Sequence, residues 1–475
     1  MRFRRTTLIT VGCLSVLAGL GLSRKVSLDV DWWLILFSPA LLLLKNKNAV
    51  SLAVVVFFGL GLGMWRGGIY MERLAELKSL STRQVTIQAT AKTDAVYGNK
   101  SQIEFTASEI RLLEPDNKPL AGNAKISGFG VPMVYRGDRV QVSGKLYPMR
   151  GSNQIRIAYA QLQVVGPGNS WFDKLTRTFS TGMENALPEP QASFGLGLLV
   201  GQRTNLPADV VTQLTMVGLV HIVAVSGYNL TILVRSAQRL RLQSKYQRSL
   251  LSLGLIISFI LVTGFSASIV RAAVVSILSL WAWYYGRDVK PVLIILFAAA
   301  LTALFNPFYI WSDIGWYLSF LAFFGVLVIA PLIVQHFFRK TPQILTLVLI
   351  ETLSAEIMTL PLIMMIFGQM SLVALLANLL VVPLIPAAML LSAVAAVAGA
   401  MMPQFAGWFA LPARLLLTYI LDLIHMLSAI PRIFIHLTIN PTLMISLYVL
   451  VIALVAVLHK RLKHKPGNNT LEVIK

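Results

Sequence analysis

The stretch GLVHIVAVSGYNLTILV, residues 218–234, sets His221, Ser226, Gly227 and Asn229 among aliphatic side chains. Polar groups are expensive in hydrocarbon, so their presence there implies packing, partners or water. His221 and Asn229 are eight residues apart, about two helical turns, and would share a face. Ser226 and Gly227 permit close helix approach or local unwinding. Three chemistries fit: a polar constriction in a conduit, packing through small residues, and nucleophilic hydrolysis at Ser226 in the manner of intramembrane serine proteases. A five-residue separation on one helix does not aim His221 at the Ser226 hydroxyl, so the conduit ranks first.

Other polar residues interrupt apolar runs further along. Arg271 in FSASIVRAAVV either lines a polar path or snorkels to the surface. Asp313 in NPFYIWSDIGWYLSFLA stands at the start of a span and suits a helix cap. Glu351 and Glu356 are five apart and on different faces; Glu356 is the deeper, and its expected partner is a base such as Arg271. Asn378 precedes Pro383 by five residues, where its amide would satisfy backbone groups freed by the break. Arg414, Asp422 and His425 follow on the next span, the last two at hydrogen-bonding spacing.

The elements that hold these residues follow from composition. The chain has 475 residues, 56% hydrophobic and 13% charged, with a mean hydropathy of +0.71. Soluble domains carry about 25% charged residues, so this is a polytopic α-helical membrane protein. A formal charge of +21 and a pI near 10.2 point to anionic lipid or nucleic acid as partners. The single cysteine, Cys13, excludes an internal disulfide.

Residues 1–66 read as three transmembrane helices. The signal-like start lacks a convincing cleavage site and is taken as a retained span; Arg2, Arg4 and Arg5 place the N-terminus in the cytoplasm. Residues 67–169 then face the exterior. Five segments there alternate apolar and polar residues (RQVTIQAT, SQIEFTASEIRLL, NAKISGFG, RVQVSGKLYP, NQIRIAYAQLQVV), which predicts a small inserted β-barrel of OB-like type. Tyr97, Phe105, Tyr135, Tyr147 and Tyr159 either fill its core or offer stacking faces to bases. Residues 170–190 form an amphipathic linker helix, expected either at the membrane interface or packed on the barrel, and 191–460 a multi-helix core with one apolar run at 216–234. The run 371–402, interrupted by Pro383 and Pro386, is expected to be a broken element that crosses once, which leaves the basic tail 461–475 inside.

GLVHIVAVSGYNLTIL resembles the signature of the ComEC competence family, membrane channels for DNA uptake in natural transformation. GLGLLVGQRTNLPADVVTQLTMVG, SASIVRAAVV, NPFYIWSDIGWYLSFLAFFGVLVIAP and LPLIMMIFGQMSLVALLANLLVVPL follow in the family's order. The resemblance covers roughly 30–458 and implies inward passage of one DNA strand through the cytoplasmic membrane. Arg203, His221, Ser226, Gly227, Arg271, Asp313, Gly315, Ser319, Pro361, Phe367, Gly368, Asn378 and Pro383 fall on its motifs. Many members carry histidine where Asn229 stands, and asparagine does not titrate. Many also end in a metallo-β-lactamase-like domain; this chain is expected to be a form without it, since its six histidines never form H-x-H-x-D-H.

DNA in hydrocarbon needs fixed positive charge, polar groups and water along its path. Arg203, Arg271 and Arg414 are candidate steering charges, and Ser226, Asn229 and Asn378 uncharged contacts. No G-x-x-x-x-G-K-[ST] loop occurs, so the expectation is a channel rather than an enzyme, without a cofactor. The resemblance implies a separate cytosolic ATPase motor, a DNA receptor and a nuclease as partners; oligomeric state is not legible. The rival readings are an intramembrane serine hydrolase using Ser226 and a transporter of another anion.

Overall fold

The computed structural model describes residues 3–26, 48–93, 95–97, 102–114, 117–120, 122–131, 133–148, 155–168, 171–201, 206–223, 230, 234, 244–263, 267–286, 290–338 and 342–463. Among them, α1 (Arg5–Leu22) and α2 (Ala49–Ser79) precede β1 (Gln84–Ala91), β2 (Val96–Tyr97), β3 (Ile103–Glu114), β4 (Lys118–Pro119), β5 (Ala124–Phe129), β6 (Arg139–Pro148) and β7 (Ile155–Gly166). Then come α3 (Trp171–Ala186), α4 (Gln191–Val200), α5 (Ala208–Met216), α6 (Val220–Val223), α7 (Lys245–Thr263), α8 (Ala267–Tyr284), α9 (Pro291–Phe305), α10 (Phe308–Ser312) and α11 (Ile314–Phe324). The remainder is α12 (Ala330–Phe337), α13 (Ile344–Phe367), β8 (Gln369–Ser371), α14 (Ala374–Val381), α15 (Ile385–Met401), α16 (Ala406–Ser428), β9 (Phe434–His436) and α17 (Pro441–Lys463). Among the described residues seven helices are long and apolar enough to cross a membrane, and α4, α8 and α9 are shorter apolar helices. The chain is a helical multi-pass membrane protein with a sheet domain. It divides into two compact units, Met1–Thr178 with Leu296–Trp316 and Phe179–Ile295 with Tyr317–Lys475.

In the first unit α1 packs along α2 on a glycine seam. Gly59, Gly63 and Gly67 recur every four residues, so they line one face of α2. A methyl group at Gly59 would lie 2.7 Å from Ser15 Cβ, and one at Gly63 2.7 Å from the Leu20 nitrogen. Lipid supplies no hydrophobic drive between helices, so this close van der Waals approach is what joins them.

The predicted five strands are β1, β3, β5, β6 and β7, with the two-residue β2 and β4 added at β3. Their alternation works as read: Val85, Ile87, Ala89 and Ala91 of β1 point into one core with Phe105, Ile126, Val142, Leu146 and Ile157. β1 pairs with β6, β6 with β7, β7 with β5, β5 with β3, and β3 again with β1; β5 and β7 run parallel and the other pairs antiparallel. Phe105 is therefore a core residue, whereas Tyr135, Tyr147 and Tyr159 are exposed. The Tyr97 side chain lies outside the described residues. Asp138 accepts from the backbone of Tyr135 and Gly168 and from Arg177 of α3, fixing the start of that helix to the sheet.

In the second unit the core centres on α4, α15 and α16, where Phe194, Leu198, Ala388, Ala395, Leu417 and Ile424 are fully buried. The end of α3 belongs to it. Gly182 and Gly399 let that helix and α15 touch, because a methyl on either would strike the other's neighbourhood of backbone, and Met183 is fully buried. That half of the amphipathic helix thus packs on α15. The run 371–402 begins in β8 and continues as α14, a 3-10 turn at Val382–Leu384 and α15. Pro383 and Pro386 remove two amide donors there, which explains the tightened turn. A π-helical segment, Gly325–Ile329, joins α11 to α12, and Gly325 packs against the Ser354 backbone of α13.

Candidate functional site

The apolar run 216–234 opens with a turn, and its residues 224–229 and 231–233 lie outside the described residues. α5 stops at Met216, and Gly218 takes φ +77°, a left-handed turn that a side chain resists. α6 starts two residues later and carries His221, whose Nδ1 lies 3.1 Å from the Gly218 carbonyl oxygen; the ring is exposed. A methyl group on Gly218 would meet Ala374 Cβ at 2.8 Å, so this turn sits against the start of α14. Arg203, Ser226, Gly227 and Asn229 lie outside the described residues.

Arg271 is 3% exposed in α8 and its Nη2 donates to Ser319 Oγ of α11 at 3.0 Å. Arg271 is thus buried among the helices of this unit. Both residues belong to the quoted motifs, and the hydroxyl offsets part of the cost of burying a guanidinium. Asp313 caps α11: its Oδ1 accepts from the Trp316 amide at 3.2 Å, while the Trp316 indole donates to Thr302 Oγ1 at 3.1 Å. The cap reading accounts for Asp313 fully.

The expected Glu356–Arg271 pair does not form. Glu356 Oε1 instead accepts from Asn378 Nδ2 at 2.9 Å, joining α13 to α14. Asn378 is 4% exposed, and its Oδ1 meets no donor. The amide nitrogen therefore does not repair the Pro383 break as anticipated; a neighbouring helix offers it a carboxyl oxygen instead. Beside this pair, Pro361 sits within α13, and the Tyr448 hydroxyl of α17 donates to the Met358 carbonyl at 3.0 Å. Nothing in the sequence singled out Tyr448, since its partner is a main-chain carbonyl on another helix.

Arg414 stands exposed on α16, on the side away from the buried Ala413 and Leu417. His425 Nδ1 meets Gln213 Nε2 of α5 at 3.1 Å, a partner outside the Asp422 spacing. Two polar junctions thus emerge in the second unit: Arg271 with Ser319, and Glu356 with Asn378. Among the described residues no three His, Cys, Asp or Glu gather as a metal site.

A model of the Competence protein family matches residues 198–462, more than half of the chain and the part that holds both junctions. The chain is also similar to ComE operon protein 3 of Bacillus subtilis (strain 168), 27% identical over 214 residues. That alignment covers 44% of this chain and 27% of the relative's length. No solved structure matches the chain. With the match spanning α4 to α17 and enclosing the Arg271 and Glu356 junctions, the chain belongs to the Competence protein family.

Proposed function

We propose that this protein is the membrane channel through which single-stranded DNA enters the cell during natural transformation. Family membership supports a role in DNA uptake, and the observation that carries the channel reading is Arg271. A guanidinium held inside a helical membrane unit, with a hydroxyl beside it, is a fixed positive charge of the kind a polyanion needs in hydrocarbon. In this reading Arg203 and Arg414 guide the strand at the ends of the path, and His221, Ser226, Gly227, Asn229 and Asn378 give contacts that let it slide. Asp313 and Glu356 hold helices in place.

The sheet domain is then an OB-like barrel on the outer side, with the N-terminus in the cytoplasm. The ring of pairings from β1 through β6, β7, β5 and β3 back to β1 supports closure. Exposed Tyr147 and Tyr159, with Arg156 paired opposite Tyr147, offer stacking and phosphate contacts. In this reading 1–66 anchors the chain, 67–169 is the outer domain, 170–190 links it to the core 191–460, and 461–475 is a basic tail. A cytosolic ATPase, a DNA receptor and a nuclease act with it.

The test is uptake of end-labelled double-stranded DNA by cells expressing the chain, scored as DNase-protected label beside a null strain and an Arg271→Glu variant. Protected label should require the protein and be lost with Arg271→Glu. Equal protection in the null strain would remove DNA as the substrate.

A further inference from the structure

We propose that Glu356 and Asn378 form a proton-binding site within the span, in which Glu356 takes up and releases a proton and Asn378 turns its amide to hold either form. Glu356 lies ten residues after Thr346 and eleven before Phe367, the ends of its span. At about 1.5 Å per residue it is some 15 Å from each end, near mid-span, where an ionised side chain is most costly. Asn378 lies only four residues into its own helix at Ala374, so the segment between α13 and α14 must return toward mid-span for the two to meet at 2.9 Å.

The identity of the partner decides the chemistry. An arginine or lysine beside Glu356 would pin it as a carboxylate. The structure supplies a neutral amide instead, and among the described residues the ion pairs are Lys125 with Glu104 and Arg177 with Asp138, both in the other unit. A carboxamide is a donor at one end and an acceptor at the other. As placed, Asn378 Nδ2 donates to Glu356 Oε1, which suits the carboxylate. When a proton from water binds Oε1, the new O–H is a donor, and half a turn of the amide brings Oδ1 round to accept it. Release reverses both steps, and the proton returns to water. Asn378 Oδ1 meets no donor on its far side, so nothing there fixes the amide in one orientation.

Among the described residues of the elements packed on α13, none is seen to form an ion pair with Glu356. On its own helix the other acid is Glu351, buried and five residues away, on another face. α14, β8 and the π-helical segment, all packed on α13, carry no ionisable side chain. α12 brings His336 at its C-terminal end, and α17 brings Tyr448, engaged at Met358, with His459, Lys460, Arg461 and Lys463 at its far end. A chain with no phosphate-binding loop gains from such a site a direct means of drawing on a proton gradient.

The site can be tested without DNA, and so independently of the transport reading. Purified full-length protein is treated with dicyclohexylcarbodiimide, which attacks protonated carboxyl groups in apolar surroundings, across a pH series, and adducts are mapped by mass spectrometry. The expected result is an adduct on Glu356 that is lost progressively as pH rises, and its absence at every pH in Asn378→Lys, where an ammonium pins the carboxylate. Recovery of the Glu356 peptide unmodified at every pH in the unaltered protein would overturn the proposal. So would equal labelling of the unaltered and Asn378→Lys proteins.

Discussion

Arg177 Nη2 lies 2.8 Å from Asp138 Oδ1, and its guanidinium covers the Tyr135 ring at 5.2 Å from the centroid. Asp138 is 4% exposed and also takes backbone amides from Tyr135 and Gly168, whereas the Arg177 side chain is 37% exposed. The two partners therefore differ in weight. Asp138→Ala, which orphans two amides and a cation, should destabilise the sheet domain by about 2 to 3 kcal/mol. Arg177→Ala should cost about 1 kcal/mol or less. Hydrogen exchange of β6 and β7 in the full chain reads both, and the order of the two effects is the prediction.

Cys13 is buried in α1 and is the chain's single cysteine, so it reports on the glycine seam. Gly59→Val places branched carbons against Ser15 and the Gly12 carbonyl oxygen, both one turn or less from Cys13. Separation of α1 from α2 should speed modification of Cys13 by a membrane-permeant maleimide several-fold. Gly61→Val, where a Cβ meets nothing within 4 Å, should leave the rate unchanged.

Tyr448 carries a hydroxyl from α17 to the Met358 carbonyl of α13, within the turn before Pro361. Such a bond between membrane helices is worth about 0.6 kcal/mol. Tyr448→Phe should keep the fold and raise hydrogen exchange in the peptide covering 357–365. Unchanged exchange would mean that the hydroxyl does not secure this segment.

Desolvation, and then the nearby positive charge of Arg136, hold the Lys92 amine below its ordinary range. A depressed value in the folded state means that the folded sheet domain binds fewer protons than the unfolded chain as pH approaches the lysine value of about 10.4. Its stabilising contribution is complete above that value and is lost as pH falls through the folded value. Below the folded value the amine is charged in both states, and its desolvation then disfavours folding. Lys92→Met should therefore slow exchange in β1 and β3 at pH 7.5, and the advantage over the unaltered protein should shrink toward pH 10.

The β strands were legible because alternation such as Val85, Ile87 and Ala89 is a local pattern that a half-buried sheet enforces at once. The sheet's ring of pairings was not, because β1 meets β3 and β6 through contacts far apart in sequence. The cap at Asp313 could be read, as cap and helix are adjacent. The expected partner of Glu356 was wrong for a physical reason: charge alone nominates Arg271, but packing brought α14 beside α13 and Arg271 to Ser319. The turn at Gly218, just before His221, was not legible because aliphatic neighbours hide it.

Composition and hydropathy by themselves determined that this chain lives in a membrane, where its strands fall and which polar residues stand in apolar runs, since each of these is set by transfer from water residue by residue. Tertiary structure alone decided which of those polar groups meet. A hydrogen bond between Glu356 and Asn378 depends on how two helices lie against each other to within an ångström, and no spacing along the chain encodes that distance.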